Sequence, residues 1–461
     1  MPFSNARRWL AIGAAIFALC FFVARYYRNT VVEIIPELSN PSDFLVYHQA
    51  AQHIVKGESP FLADGYIYPP LLAFALTPLA TLDYVTARRV WFAGSQLFLI
   101  ASAILLWRRF GRDWSSACWI AFVWAFGDAA GEALGAGQVG PFLTFLVVLV
   151  LTASRRKRGA AVALGFAIKL FPGLLGAAIL LRREKHAVRS MIAGAATAIL
   201  LPWLAVVTFL RGPSGFGKTS SLIGTPATLS WSVPSVALRI FDPARQSYLL
   251  PSNWMLGTNL EHFRLPAVLA AASMTVSILT LAGGLFALIR SSGFRIREAQ
   301  LPWALSALTT LALVAAPISW THYQVLEYPG VALILIDTWR RRQWTQLSAA
   351  LVLAALIYPM PKHILDAMRL HWTGSFITLF FWTAVPAVAS VGLMILLVKR
   401  AAQSRALTIV SPASAFTSSA PFDLSVLSLP SPVKVLDLAV GEPLMRPDSE
   451  RRRWVGHQES R

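Results

Sequence analysis

Runs of about 18 or more apolar residues recur along most of this chain, and each is long enough to cross a hydrocarbon core about 30 Å thick. Of the 461 residues, 56% are hydrophobic and 14% are charged, whereas a soluble domain has about 25% charged residues. A segment in lipid must satisfy its backbone hydrogen bonds internally, and runs of this length do so as helices. We therefore predict an all-α, polytopic membrane protein, a helical bundle with about ten to thirteen membrane segments.

The order of apolar and polar stretches predicts one large membrane domain, at residues 1–400, with two large outer loops at about residues 28–70 and 211–262. Residues 9–27 follow a basic start and show no small-residue cleavage site, so we interpret them as a retained first span. Residues 401–461 are rich in Ser, Pro and Ala with mixed charge, and we expect them to form a disordered cytoplasmic tail.

The net charge of +19 is explained by topology rather than by a polyanionic partner. Of the 41 basic residues, 22 lie in short runs beside the ends of predicted spans on one side, and 12 lie in the opposite loops. This asymmetry is typical of cytoplasmic loops, so we predict membrane lipids and no nucleic acid as partners. The 22 residues occur at 7–8, 108–112, 155–158, 182–189, 290–297, 340–342 and 399–405.

The stretch 40–70 is unusually structured for a connecting loop. Ser42 offers a helix start and Gly57 a helix stop, and apolar residues recur between them at helical spacing, so we predict an amphipathic helix along the membrane surface. Asp43 falls in its first turn. The carboxylate either complements the helix dipole or acts as a general base, although a helix start would lower its pKa and weaken it as a base.

Lys169 lies inside the apolar block 159–181, where an ammonium is costly and is usually paired with an anion such as phosphate. Basic runs flank this block at both ends, and Pro172 interrupts it. Basic runs at both ends predict a broken segment that enters and leaves the membrane by the same side. The alternative is a single span, with one basic run on the side where the positive-inside rule does not expect it. A lysine that snorkels to the interface is the corresponding structural alternative.

Both a structural and a functional interpretation are open for three further polar residues, Asp128, Glu132 and His322. Asp128 and Glu132 are four residues apart on one helix face, and they form either a solvated helix end or a site for a cation or a shared proton. His322 follows a predicted span and is either an interfacial residue or a phosphate ligand. Gln138 begins a span, where a polar residue needs no functional explanation.

Cys20 and Cys118 both fall in apolar runs, which excludes a disulfide framework.

Together these pieces resemble glycosyltransferase family 87, the polyprenol-phosphate-mannose-dependent α-mannosyltransferases of the GT-C superfamily. The resemblance covers roughly residues 40–340 and rests on an ordered set of short motifs. These are Asp43-Phe44, Tyr47, Ala50-Ala51, Gly57, Tyr68-Pro69-Pro70, Pro78-Leu79, Trp91, Gly137-Gln138-Val139, Lys169-Leu170-Phe171-Pro172 and Ser319-Trp320-Thr321-His322.

The resemblance implies a GT-C-type bundle that transfers a hexose, expected to be mannose, from a polyprenyl-phosphate donor with inversion of configuration. Asp43 would be the general base, Lys169 and His322 would bind the donor phosphate, and Tyr47, Tyr68 and Gln138 would line the sugar pocket. The lipid-phosphate sugar is a co-substrate; no metal site or further cofactor is predicted, and the need for a divalent metal is left open.

The expected acceptor is a glycolipid or polysaccharide hydroxyl, and the expected location is a bacterial plasma membrane with the active site on its outer face. Two other functions fit a polytopic chain. A transporter or flippase for a lipid-linked or small solute predicts inverted repeats, and no convincing internal repeat is evident. A non-catalytic scaffold would act through the basic loops and the tail.

Overall fold

The computed structural model describes residues 20, 23–213, 232–241, 267–316, 319, 321–358 and 376–410. Within these ranges the secondary structure is helical, with one isolated β-bridge between Glu58 and Arg211. The predicted all-α class is thus confirmed for the described residues. Most of the predicted first span at 9–27, much of the predicted outer loop 211–262 and the predicted tail from residue 411 lie outside them.

The segment before the first long helix is built from short helices. They are α1 Tyr27–Ile34, which is π-helical, α2 Ile35–Glu37, α3 Asp43–Val55, a 3₁₀ turn Pro60–Leu62, α4 Pro70–Ala75 and α5 Thr77–Ala80. Helix α3 has the predicted bounds: Ser42 is its extended N-terminal flank, and Gly57 follows its end with a φ of +73°. Phe44, Tyr47 and Ala51 are its buried face, which packs on α4 and α5.

The middle of the chain forms a run of helices that pack in sequence. They are α6 Tyr84–Phe110, α7 Trp114–Phe126, α8 Asp128–Ala136, α9 Gly140–Thr152, α10 Arg155–Ile168, a 3₁₀ turn Phe171–Leu175, α11 Gly176–Arg182, α12 Lys185–Ala195 and, after the π-helical turn Ala196–Leu200, α13 Leu201–Phe209. Helices α7 and α8 meet at a bend of 52°.

The later described helices close the bundle around a core shared with α9 and α10. They are α14 Val233–Phe241, α15 Ala267–Ser292, a 3₁₀ turn Glu298–Gln300, α16 Leu301–Ala315, a 3₁₀ helix Thr321–Glu327, α17 Tyr328–Arg340, α18 Trp344–Ile357 and α19 Phe376–Val410. The tail was predicted to begin at residue 401. Helix α19 continues through residues 401–410, ten residues into that predicted tail.

In the described part of the chain, four helices are long and apolar enough to cross a membrane, or five if the bent pair α7–α8 is one span. The four are Tyr84–Phe110, Lys185–Phe209, Ala267–Ser292 and Ala384–Ser404. Only 11% of the most apolar window of Lys185–Phe209 is buried within the protein, so its apolar side chains face outward, as in contact with lipid. This is an integral membrane protein; the larger number of ten to thirteen segments stays a prediction.

The block 159–181 is a broken segment, as predicted, and its two ends lie together. Helix α10 ends at Ile168, Lys169 is extended with φ −149° and ψ 130°, and the chain then turns into α11. At the other end, Arg158 Nη1 donates to both carboxylate oxygens of Glu184, at 2.8 and 2.9 Å. Glu184 is two residues beyond the end of α11, so the start of α10 and the end of α11 are held side by side, and Lys169 lies at the far tip of this hairpin.

Candidate active site

Gln138 lies at the centre of the site and connects Asp43 to two tyrosines. Its buried amide nitrogen donates a hydrogen bond to Oδ2 of Asp43. Its amide oxygen is 2.8 Å from the hydroxyl of Tyr47 and 3.2 Å from that of Tyr68, and the two hydroxyls are 2.8 Å apart. The fold thus joins four of the predicted site residues, although Gln138 lies 95 positions after Asp43 in the sequence.

Lys169 reaches the same network from the tip of the α10–α11 hairpin. Its ammonium donates to the hydroxyl of Tyr323 and lies 3.3 Å from the hydroxyl of Tyr68. It also lies 3.5 Å from the ring centre of Tyr323 and 5.9 Å from that of Phe171, as in cation–π contacts. Among the described residues, no carboxylate forms an ion pair with Lys169; Asp43 acts on it only as a charge at longer range.

His322 lies at the edge of this network, in the 3₁₀ helix that connects α16 and α17. Its ring packs edge-on against the ring of Tyr323, with 4.3 Å between centres, and it interacts electrostatically with Lys169. The side chain is buried, and its Nε2 atom has no hydrogen-bond partner among the described residues. A buried nitrogen without a partner is costly, which is typical of a position that binds a ligand.

The position of Gln138 is set by the end of α8. Gly137 terminates that helix with a φ of +72°, and a Cβ atom there would lie 2.7 Å from Cβ of Phe44 and 2.7 Å from Nη1 of Arg88. Glycine therefore satisfies both the left-handed backbone and the close approach of α3. The Trp91 indole donates to the Gly137 carbonyl at 2.8 Å, which fixes the turn from which Gln138 projects.

The position of Tyr68 is set by the turn into α4. The Tyr66 hydroxyl donates to the Pro69 carbonyl at 2.9 Å and accepts from the Ala73 amide at 3.1 Å. This pair of bonds holds the two prolines at the start of α4, where their missing amide hydrogens cost nothing. Tyr68 is thereby held with its ring edge-on to Tyr47, with 5.0 Å between centres.

The carboxyl group of Asp43 is accessible to solvent but lies in a recess that protein surrounds on most sides. Desolvation by this surrounding protein raises the pKa of the Asp43 carboxyl, and the Gln138 hydrogen bond and the charges of Lys169 and Arg88 offset part of the rise. The helix start alone was expected to lower this pKa. Burial outweighs the helix dipole here, which makes the carboxylate a stronger base than a solvated aspartate.

Two other buried polar groups have their partners within the protein, so Asp128 is not part of a solvated helix end. Asp128 forms an ion pair with Arg25, which precedes α1, so this carboxylate is neutralised by a cation of the protein. The buried His48 contacts the carbonyls of Leu79 and Leu82, both at 3.2 Å, and ties α3 to α5. Among the described residues, no three His, Cys, Asp or Glu side chains converge as a metal site.

The sequence reasoning missed two members of the site. Arg88 is one of the 12 basic residues that the sequence places in the opposite loops. In the structure it is buried; its Nη2 donates to the carbonyls of Leu134 and Gly135 at 2.9 and 2.6 Å, and it acts electrostatically on Asp43. Its position near the start of a long apolar helix is the available sequence signal. The sequence analysis assigns no role to Tyr323, because no sequence signal distinguishes its contact with Lys169.

Comparison with known proteins relates the chain to membrane glycosyltransferases. The family model described as glycosyltransferase family 87 matches residues 66–317. The match starts after Asp43 and ends before His322, so the roles of these two residues rest on the geometry of the site.

Among curated proteins, GPI mannosyltransferase 1 of Aspergillus oryzae is 31% identical over 157 residues, which cover 32% of this chain and 37% of that protein. The chain thus spans little more than a third of the length of this fungal relative. A polyprenol-phosphate-mannose-dependent alpha-(1-2)-phosphatidylinositol mannoside mannosyltransferase of Mycobacterium tuberculosis is 24% identical over 359 residues, covering 72% of this chain and 77% of that protein. The apo crystal structure of ArnT from Cupriavidus metallidurans aligns with 87% of this chain and 78% of that chain, at 13% identity and a TM-score of 0.33.

Arg88→Met is expected to destabilise the protein, because two buried carbonyls at the end of α8 would lose their donor. Leaving buried acceptors unsatisfied costs about 1–3 kcal/mol each, so the loss of two should lower the free energy of unfolding by roughly 2–6 kcal/mol. Thermal unfolding of the purified protein in detergent measures the change. Arg89→Met, at the exposed neighbouring position, is the matched control. Equal unfolding temperatures for the two variants would contradict the capping role of Arg88.

Proposed function

The chain belongs to glycosyltransferase family 87, and we propose that it is an inverting membrane enzyme that transfers mannose from a polyprenyl-phosphate donor to an acceptor hydroxyl, with Asp43 as the general base. The donor and the sugar are those named for the mycobacterial relative, and mannosyl transfer is also the activity named for the fungal relative. The proposed fold is a GT-C-type bundle.

In the proposed reaction, the acceptor oxygen bonds to the anomeric carbon while the bond from that carbon to the phosphate oxygen breaks. Asp43 takes the proton of the acceptor hydroxyl, and the electron pair of the broken bond leaves with the polyprenyl phosphate. Because the leaving group is already a phosphate, no general acid is required. Attack from the face opposite the phosphate inverts the anomeric configuration. The raised pKa of Asp43, caused by desolvation, supports its role as the base.

The charge that develops on the leaving phosphate needs cationic or hydrogen-bonding partners, and we assign these to Lys169 and His322. Two observations support the assignment. The Lys169 ammonium contacts tyrosine hydroxyls and ring faces rather than a carboxylate, and Nε2 of the buried His322 has no partner among the described residues. An anion at this position would satisfy both groups.

Tyr47, Tyr68 and Gln138 lie between the proposed base and the proposed phosphate ligands, and we assign them to the sugar pocket. Their hydroxyls and amide are the groups that hydrogen-bond sugar hydroxyls. Within the protein they hydrogen-bond to one another, at 2.8–3.2 Å. We propose that sugar binding replaces part of these contacts without moving the Gln138–Asp43 hydrogen bond.

A lipid donor also needs an apolar groove that reaches the phosphate ligands. A groove of about 620 Å³ lies between the α10–α11 hairpin and helices α12, α15 and α16. Its lining includes Leu170 and Phe171, the two residues after Lys169, together with Met191, Ile278 and Ala315. We propose that it holds the first part of the polyprenyl chain, with the phosphate at Lys169.

The single observation that carries the proposal is the continuous polar chain from Asp43 through Gln138 and Tyr68 to Lys169, beside an apolar groove. For the acceptor, phosphatidylinositol mannoside is named for the mycobacterial relative, and we propose a glycolipid of this class rather than a polysaccharide. We further propose a bacterial plasma membrane, with the reaction at its outer face.

Asp43→Asn is expected to lower kcat by about 10²–10⁴-fold, the usual contribution of a general base. The asparagine oxygen still accepts from Gln138, so the fold should be unchanged. Transfer from radiolabelled polyprenyl-phosphate mannose to phosphatidylinositol mannoside by the purified protein measures the effect. Asp64→Asn, an exposed acid in the same loop, is the control. Wild-type activity in Asp43→Asn would exclude the proposed base, and movement of the donor across vesicles without cleavage would indicate a transporter.

Gln138→Leu is expected to move the acidic limb of the kcat/KM profile to higher pH. The base must be ionised, and the Gln138 hydrogen bond lowers the pKa of Asp43, so its loss raises that pKa further. Activity would then disappear at a higher pH as the solution is acidified. Tyr47→Phe, which keeps the amide donor to Asp43, should shift the limb less. A shift to lower pH in Gln138→Leu would contradict this account.

Lys169→Met is expected to raise the KM for the donor about 10- to 100-fold, because a charge-assisted hydrogen bond contributes about 1.5–3 kcal/mol. The KM for the acceptor should change little, since the lost charge faces the donor phosphate. Steady-state kinetics with each substrate varied in turn separates the two constants, and Lys56→Met in the outer loop serves as control. An unchanged KM for the donor would remove Lys169 from the phosphate site.

A further inference from the structure

A second cavity lies at the opposite end of α10 from Lys169. Its volume is about 590 Å³, within the range of about 300–1,000 Å³ that ligand pockets occupy. It lies between the α11–α12 turn and the segment after α15. Because α10 has 14 residues, about 20 Å of helix separate this cavity from the hairpin tip that carries Lys169.

The lining of this cavity is strongly basic. Six cationic side chains surround it, against two acidic ones, Glu184 and Glu298. The six are Arg155, Arg182, Arg183, Lys185, Arg295 and Arg297.

Both acidic side chains of the lining are already paired within the protein. Glu184 accepts the bidentate hydrogen bonds of Arg158, and Arg182 donates to both Glu184 and Glu298. The exposed cations Arg183, Lys185, Arg295 and Arg297 therefore add positive charge to the cavity that these two acids do not neutralise. Such a site fits an anion with several oxygen atoms.

The helices that carry the cavity continue as outward-facing apolar surfaces. Lys185 and His186 begin the candidate span Lys185–Phe209, while Ser292 ends the candidate span Ala267–Ser292 and Gly293 follows it. Ile192 on the first span and Phe286 on the second lie within about 10 Å of helix from the cavity, and both are more than half exposed. A lipid whose headgroup lay in the cavity would thus have apolar side chains alongside its acyl chains.

We propose that this cavity binds the phosphate headgroup of an anionic phospholipid, at the membrane face opposite the Asp43 site. Basic pockets between membrane helices on the face with the positive loops are the usual binding sites of such headgroups. The two exposed apolar helices favour a lipid over a soluble phosphate. The proposal does not depend on the catalytic assignment, because it concerns different residues at the other end of α10.

The test compares lipid binding by the full-length protein in detergent, measured by native mass spectrometry. Wild-type protein should retain phosphatidylglycerol at least tenfold more tightly than phosphatidylcholine. Each basic residue near an anionic headgroup contributes about a fivefold factor, so the combined variant Arg183→Gln, Arg295→Gln and Arg297→Gln should bind phosphatidylglycerol roughly 100-fold more weakly. The control variant, Arg156→Gln, Lys157→Gln and Arg342→Gln, removes three exposed basic residues outside the cavity and should bind as the wild type does.

Three results would overturn the proposal: equal retention of the two lipids by wild-type protein, equal loss of phosphatidylglycerol in both variants, or displacement of phosphatidylglycerol by millimolar inorganic phosphate. A second measurement avoids dependence on the folding of a variant. Phosphatidylglycerol with a photoreactive headgroup should label residues 182–186 and 292–298 of the wild-type protein. Labelling confined to other residues would contradict the site.

Discussion

The hydrogen bond from Gln138 to Asp43 connects the two parts of the chain on which the site depends. It joins the start of α3 to the start of α9, and the amide oxygen of Gln138 in turn faces the hydroxyls of Tyr47 and Tyr68. A buried polar group without a partner costs about 1–3 kcal/mol, so the network is stable only when each of its members is hydrogen-bonded to another. That requirement explains why the residues around Gln138 pack so closely, from the left-handed Gly137 to the indole of Trp91.

The α10–α11 hairpin brings a cation into this network from the other end of the bundle. Its open end is clamped by the buried ion pair of Arg158 and Glu184, and its tip carries Lys169 against Tyr323. A helix of 14 residues is about 20 Å long, enough to carry the tip deep into the bundle. An ammonium is costly at this depth, and the tyrosine hydroxyls and ring faces stabilise it only in part. An anionic substrate that paired with the Lys169 ammonium would remove this desolvation cost, and the free energy recovered would strengthen its binding.

Helices α12 and α15 contribute to two cavities of opposite character. Toward the Asp43 site, they line an apolar groove of about 620 Å³, and at their other ends they line a basic cavity of about 590 Å³. The difference follows from where the charges fall along each helix, because both helices are apolar in the middle and carry basic residues at one end. A lipid phosphate is the chemistry that both cavities share, and in the proposed arrangement the two phosphates lie on opposite faces of the membrane.

Features that depend on neighbouring residues could be predicted from the order of amino acids alone. The length of the apolar runs fixes a helical membrane protein, Ser42 and Gly57 bound α3, and Pro172 breaks the segment after α10, because backbone chemistry acts locally. Which polar groups contact each other depends instead on how distant segments pack. Asp43 and Gln138 contact each other, Asp128 pairs with Arg25, and Arg88 is buried rather than solvated. These contacts, and the desolvation that raises the pKa of Asp43, arise from packing between segments far apart in the chain, which no local pattern of residues encodes.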